Sequence, residues 1–196
     1  DDSDLDPSAW TSRDITPPSA GYQGNFHGSI IPYPSSVGGS DSQGWITFPY
    51  VPSSGNIDAL YTTDNWDTDT WVQNVMPFAA PATQFNENVV VRLGTQNKWI
   101  CFVRSSPGSL TAKAFKSTNL LTWTGPYDTG LPMGANPPQA IYEYGRVFFF
   151  CFSRSGRTIL PNYNAHLMCA SAEADALWDS NVNMAAFGGW LVVSAV

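Results

Sequence analysis

Apolar residues occur in short runs along this chain, and three segments repeat the same order of runs. Each segment has a first apolar run, a turn with Gly or Asn, a second run richer in aromatic residues, a loop, and a third run. The second runs read GWITFPYV, KWICFVRSS and VFFFCFSRSG. Each segment closes with a polar turn and a tryptophan, at Trp71, Trp123 and Trp178, which are 52 and 55 residues apart. We interpret this agreement as a structural repeat of about fifty residues.

The runs are mostly five to eight residues long, rich in Val, Ile, Phe and Trp, and often continuous rather than alternating. Strands that are buried on both faces have this pattern. The sequence therefore predicts short strands throughout, with a single helical turn at Ala174–Leu177.

A unit of about 40 to 50 residues that carries three or four strands is typical of a propeller blade. One such sheet has two apolar faces and buries both only by packing between neighbouring sheets. We therefore predict an all-β fold, a β-propeller with about three and a half blades, with a two-sheet β-sandwich as the alternative. The predicted divisions are an extended N-terminal arm at 1–26, blades at 27–71, 72–123 and 124–178, and a partial blade at 179–196.

The blade number is itself informative, because propellers typically have four to eight blades. Three and a half blades do not close a ring and would leave an apolar face and a strand edge exposed. We therefore expect a further chain or further subunits to complete the fold. The tryptophan after each third strand is expected to fill the gap between neighbouring blades.

Composition and charge exclude several classes of partner. The formal net charge is −7, and the nine Lys and Arg residues are scattered, whereas a nucleic-acid-binding protein needs a basic stripe. The longest nearly apolar stretch, Ala185–Val196, is too short to span a bilayer, so no membrane insertion is expected. No motif predicts a metal site or a cofactor. The three cysteines cannot all pair with one another, and we expect buried free thiols.

The segment Lys116–Pro126, KSTNLLTWTGP, resembles two related propeller signatures. One is the Asp box of sialidases, Ser-x-Asp-x-Gly-x-Thr-Trp, and the other is the Ser-x-Asp-Leu-x-x-Trp turn of five-bladed arabinofuranosidases and β-xylosidases. Ser117, Asn119, Thr122 and Trp123 match, with Asn119 in place of the Asp. The resemblance implies a β-propeller of the glycan-processing type.

In that glycosidase clan, three acidic residues on the first strands of successive blades act as general base, pKa modulator and general acid. Hydrolysis of a glycosidic bond requires such carboxylates at a controlled separation. In the first-strand regions of this chain, Glu87 is the acidic residue at the matching place, whereas Gln139 stands where an acid would be needed. The resemblance therefore makes Glu87 the candidate catalytic residue and requires the remaining acids to lie outside this chain.

Polar residues of the first and second strands define a candidate ligand site at one end of the channel. Arg104 and Arg154 occupy equivalent repeat positions, where they either bind a carboxylate, as sialidase arginines do, or tie blade loops together. Aromatic residues near loops, Tyr127 among them, offer rings on which a sugar can stack. The predicted ligand-binding residues are His27, Asn86, Asn88, Arg104, Asn136, Gln139 and Arg154.

Three functional hypotheses follow from these patterns. The first is a module that recognises a carbohydrate or a protein partner within a larger extracellular or virion assembly, without enzymatic activity. The second is a glycoside hydrolase of the arabinosidase, xylosidase or sialidase type. The third is a structural subunit that another chain completes.

Overall fold

A computed structural model describes residues 24, 30–33, 44–51, 56–62, 71–75, 84–106, 111–132, 138–152, 167–179 and 188–193. Apart from Gly24, the predicted arm at 1–26 lies outside these residues. The described residues form thirteen strands and one short helix. The elements are β1 Ile31–Tyr33, β2 Gly44–Thr47, β3 Tyr50–Val51, β4 Asn56–Thr62, β5 Val72–Val75, β6 Gln84–Arg92, β7 Trp99–Ser106, β8 Thr111–Ser117, β9 Thr124–Pro132, β10 Gln139–Glu143, β11 Arg146–Phe152, β12 Leu167–Glu173, α1 Ala174–Asp179 and β13 Gly188–Val193.

The strands form three antiparallel sheets, which confirms the predicted all-β class. Sheet 2 has the order β6-β7-β8-β9 and sheet 3 has the order β10-β11-β12-β13. In sheet 1, β1 pairs with β2, β2 and the short β3 both pair with β4, and β4 pairs with β5. Each sheet is thus an up-and-down meander, which is the arrangement of a propeller blade.

Strand β7 is buried on both faces, as its continuous apolar sequence predicts. Ile100 and Phe102 pack in a cluster with residues of sheet 3, and the Phe102 and Phe149 rings meet edge to face with centroids 5.2 Å apart. The alternate residues Trp99, Cys101 and Val103 pack in a second cluster with residues of sheet 1. Sheet 2 therefore lies between the other two sheets. Complete burial contributes about 1.5–3 kcal/mol for each large side chain.

The closing tryptophan of the second repeat fills a gap between sheets, as the sequence analysis expects. Trp123 is buried, and its ring meets the Phe48 ring of sheet 1 edge to face, with centroids 5.7 Å apart. Its indole nitrogen Nε1 donates a hydrogen bond to the Leu120 carbonyl at 2.9 Å, which satisfies the one polar atom of the ring.

The fourth strand of each sheet follows the closing tryptophan, so the sheets extend one strand further than the predicted blade divisions. Strands β5 and β9 pair with β4 and β8, the strands that precede Trp71 and Trp123. Strand β13 pairs with β12 and completes sheet 3, although the sequence analysis assigns it to a partial fourth blade at 179–196. Strand β9 has few apolar residues to mark it, because five of its first seven residues are exposed.

The predicted helical turn is present as α1, which follows β12 directly. The backbone N–H of Ala174 donates to the Gly145 carbonyl at 2.9 Å, and Leu177 is buried in the cluster between sheets 2 and 3. Within the described residues, no helix has the length and apolar character needed to cross a membrane.

The three cysteines form no disulfide bond, in agreement with the sequence analysis. Cys101 and Cys151 are buried, and Cys169 is partly exposed. Burial raises the pKa of the Cys101 thiol. It also raises the pKa of the Cys169 thiol, which is less buried. Both thiols therefore stay protonated to higher pH than a free cysteine.

Candidate functional site

The predicted site residues that the structure describes lie on three strands. Asn86, Glu87 and Asn88 are in β6, Arg104 is in β7, and Gln139 begins β10. Strand β6 contacts β3 and β4 of sheet 1 and also β10 of sheet 3. The predicted residues His27, Asn136 and Arg154 lie outside the described residues.

An irregular register in β6 brings Glu87 against Arg104. Phe85 pairs with Ser105 and Asn88 pairs with Val103, so Asn86 and Glu87 together lie opposite the single residue Arg104. Such a β-bulge re-aims a side chain and bends the strand.

The resulting ion pair is short and largely enclosed. Arg104 Nη1 donates to Glu87 Oε1 at 2.8 Å, and each side chain is 16% exposed. Glu87 Oε2 is also 2.8 Å from Nη1 but has no hydrogen bond of acceptable geometry. Arg104 thus orients the Glu87 carboxylate.

Asn88 lies on the opposite face of sheet 2 from this ion pair. Its register partner Val103 belongs to the cluster shared with sheet 1, whereas Ala112, the register partner of Arg104, belongs to the cluster shared with sheet 3. Asn88 Nδ2 donates to the Phe48 carbonyl at 2.8 Å and so joins sheet 2 to sheet 1. The structure therefore gives Asn88 a bridging position and does not group it with Glu87.

Gln139 is exposed at the beginning of β10, where Phe150 of β11 lies opposite it. Within the described residues, no group of three or more His, Cys, Asp or Glu side chains is arranged to hold a metal ion.

A pocket of about 290 Å³ lies where the end of β8 and the start of β9 meet helix α1. We call it the Lys116 pocket. Its wall combines two half-buried aromatic rings, a buried tryptophan, a buried lysine and several hydroxyl groups. The lining residues are Lys116, Ser117, Thr118, Thr122, Trp123, Thr124, Tyr127 and Trp178.

One wall of the Lys116 pocket is the turn that resembles the Asp box. Ser117 Oγ accepts hydrogen bonds from the backbone N–H groups of Asn119 and Leu120 at 3.1 and 2.8 Å. Asn119 Oδ1 accepts from the backbone N–H groups of Leu121 and Thr122 and from the Thr122 hydroxyl, at 3.0, 2.8 and 2.9 Å. These bonds fix the turn, so the pocket wall is preformed.

Lys116 joins β8 of sheet 2 to helix α1, which follows β12 of sheet 3. Its ammonium donates to the Trp178 carbonyl and lies 4.8 Å from the Tyr127 ring centroid and 5.8 Å from that of Trp178. Burial lowers the pKa of Lys116, and the nearby Asp179 carboxylate opposes that shift. The two rings stabilise the charge by cation–π attraction.

Sequence reasoning named parts of this pocket without assembling them. The resemblance segment contains Lys116, and Tyr127 is among the loop aromatics. Trp178 is 62 residues from Lys116 in the chain, and their contact depends on the packing of sheet 3 on sheet 2. The sequence signal for this contact was the position of Trp178 as a closing tryptophan, because such tryptophans are predicted to fill gaps between blades.

Comparison with known proteins supports the fold. The chain is similar in structure to the catalytic domain of the GH62 α-L-arabinofuranosidase of Coprinopsis cinerea, with a TM-score of 0.57 and 15% sequence identity. The match covers 89% of this chain and 52% of that chain, so this chain spans about half the length of its structural neighbour. No protein-family model matches the chain, and no curated protein matches it.

The three meander sheets and this neighbour, which has a five-bladed β-propeller-type fold, define an all-β protein of the β-propeller type. At this level of identity the similarity concerns the fold alone. Function has to be argued from the residues of the site.

Proposed function

We propose that this chain is a carbohydrate-binding β-propeller module and that the Lys116 pocket holds the sugar. The observation that carries the proposal is the pocket wall, where the Tyr127 and Trp178 rings stand beside Thr118, Thr122 and Thr124. Aromatic rings offer flat apolar surfaces to the C–H faces of a sugar, and hydroxyl groups match its polar edge.

The size of the pocket suits a small ligand. Its volume of about 290 Å³ is at the lower end of the range of about 300–1,000 Å³ that is typical of small-molecule sites. We therefore expect the pocket to hold one sugar residue, with the rest of a longer glycan outside it.

The polar groups of the wall can engage a sugar while they keep their own bonds. The Thr122 hydroxyl donates its proton to Asn119, and its lone pairs can still accept from a sugar hydroxyl. The fixed turn lowers the entropic cost of binding, because Thr118 and Thr122 are held in place before the ligand arrives.

A glycan array with labelled wild-type protein tests this function. We expect binding to a subset of glycans, and we expect Tyr127→Ala to reduce that binding about tenfold because it removes one ring of the pocket. Tyr144→Ala is the matched control, since Tyr144 is 90% exposed in the turn between β10 and β11 and does not line the pocket.

Two results would overturn the proposal. One is the absence of binding to any glycan by folded wild-type protein at high micromolar concentration. The other is equal loss of binding in the Tyr127 and Tyr144 variants.

A glycoside hydrolase is the second candidate, and the Glu87–Arg104 pair favours it. Glu87 lies near the start of the first strand of sheet 2, where the resemblance places a catalytic acid, and Arg104 orients its carboxylate. Hydrolysis requires a second carboxylate. This candidate therefore requires further acids, which the sequence analysis expects outside this chain.

Assays with aryl arabinofuranoside, xyloside and sialoside substrates test the second candidate. If Glu87 is catalytic, Glu87→Gln abolishes turnover, whereas Glu143→Gln, an exposed acid on β10, leaves it unchanged. Full activity of Glu87→Gln would remove this candidate, and absence of turnover by the wild-type protein would show that this chain alone does not hydrolyse these substrates.

A further inference from the structure

Two lysines converge on the Trp178 ring, although the protein as a whole is acidic. The Lys98 ammonium lies 5.4 Å from the ring centroid and the Lys116 ammonium lies 5.8 Å from it. The chain has a formal net charge of −7 and only nine Lys and Arg residues. Two of those nine cations therefore lie close to the ring of Trp178, a residue that lines the Lys116 pocket.

Lys116 is the one charged side chain among the described residues that line the pocket. The neighbouring Lys113 does not line it and forms an ion pair with Asp128. Asp179, the acid that acts on Lys116, is exposed and is not part of the lining. The interior of the pocket is thus positive.

The Lys116 ammonium is poorly hydrated, because the residue is only 6% exposed. A charge in such a place interacts more strongly with an incoming opposite charge than it would at an open surface. An ammonium is a compact point charge, so Lys116 can attract an anion while it donates to the Trp178 carbonyl.

From this arrangement we infer that the Lys116 pocket selects sugars that carry a carboxylate, of the uronic acid class. This inference rests on the proposed carbohydrate-binding function and adds its ligand class. The carboxylate lies toward Lys116, and the sugar ring lies against the Tyr127 and Trp178 side chains.

Isothermal titration calorimetry with two probes distinguishes selection of acidic sugars from carbohydrate binding in general. Methyl β-D-glucuronide and methyl β-D-glucoside differ only in the carboxylate at C6. We expect the glucuronide to bind at least tenfold more tightly. Equal affinities would overturn the acidic-sugar inference and leave carbohydrate binding in place, whereas no binding of either probe would count against both.

Two lysine variants test whether Lys116 supplies the charge that attracts the carboxylate. Lys116→Met keeps most of the apolar stem and removes the charge, so we expect it to lower the glucuronide affinity about tenfold. Lys113→Met is the matched control on the same strand, and we expect no change, since Lys113 lies outside the pocket lining. Equal losses in the two variants would contradict the assignment.

Further measurements on the wild-type protein do not depend on whether Lys116→Met folds. Sodium acetate and a tri-aspartate peptide supply the carboxylate without the sugar, and we expect both to bind at least tenfold more weakly. Peptide or acetate binding as tight as that of the glucuronide would overturn the inference.

Discussion

Among single residues, Asn119 holds the turn that forms the pocket wall. Its Oδ1 atom accepts four hydrogen bonds, two from backbone N–H groups and two from the Ser117 and Thr122 hydroxyls. We expect Asn119→Ala to lower the free energy of unfolding by about 1–2 kcal/mol, as loss of a helix cap does. Urea denaturation measures the change.

Two control variants sharpen this prediction. Asn119→Asp places a carboxylate oxygen where the amide oxygen is, as in the turn that this segment resembles, so we expect it to preserve stability. Thr118→Ala changes an exposed neighbour and should have little effect. Equal stability of the Asn119→Ala variant and the wild type would show that these bonds do not hold the turn.

The cysteines differ in burial, and their reactivity should differ in the same order. Burial raises the pKa values of the Cys101 and Cys169 thiols, so at pH 8 the reactive thiolate is scarcer than for a free cysteine. With Ellman's reagent we expect Cys169, which is partly exposed, to react slowly in the native protein. Cys101 and Cys151 should react only after unfolding. Rapid modification of Cys101 in native protein would contradict its burial.

Among the strands, β7 packs against sheet 3 on one face and against sheet 1 on the other. We expect Phe102→Ala to destabilise the protein by about 3–5 kcal/mol, because it opens a cavity in the cluster shared with sheet 3. Val90→Ala, at a half-buried position of β6, should cost clearly less. Thermal or urea unfolding compares the two, and similar losses would argue against a doubly buried β7.

The inner strand β7 could be predicted from the sequence, whereas the outer strand β9 could not. Strand β7 contains the run Trp-Ile-Cys-Phe-Val, whose members are all buried, so its apolar pattern is unbroken. Strand β9 reads TGPYDTGLP, and five of its first seven residues are exposed, so it has the composition of a turn. Its strand conformation depends on pairing with β8, which no local pattern encodes.

The candidate sites show the same division between local and long-range information. The register shift that sets Glu87 against Arg104 arises from pairing between β6 and β7 and has no sequence signal of its own. The turn at Ser117–Trp123 was visible as a motif, because all of its hydrogen-bonding groups are close in sequence. The contact of Lys116 with Trp178 required the packing of two sheets.

At the scale of the whole molecule, the completion of the ring by a further chain or further subunits stays a prediction, as does an extracellular or virion location. Ile141 on β10 is 53% exposed, whereas Val91 at the corresponding inner position of β6 is buried. We expect sedimentation of this chain to give a mass above 21.3 kDa that depends on concentration. A stable monomer at all concentrations would contradict that expectation.

The central claim is that a sugar occupies the Lys116 pocket, and indole NMR during a sugar titration tests it most directly. With ¹⁵N-labelled tryptophan, and the Trp178 signal assigned through Trp178→Phe, we predict a saturable shift of Trp178 on addition of methyl β-D-glucuronide. The signals of Trp99 and Trp45 should stay in place, because neither residue lines the pocket. An unmoved Trp178 signal at saturating sugar, or equal shifts of all tryptophans, would contradict the account.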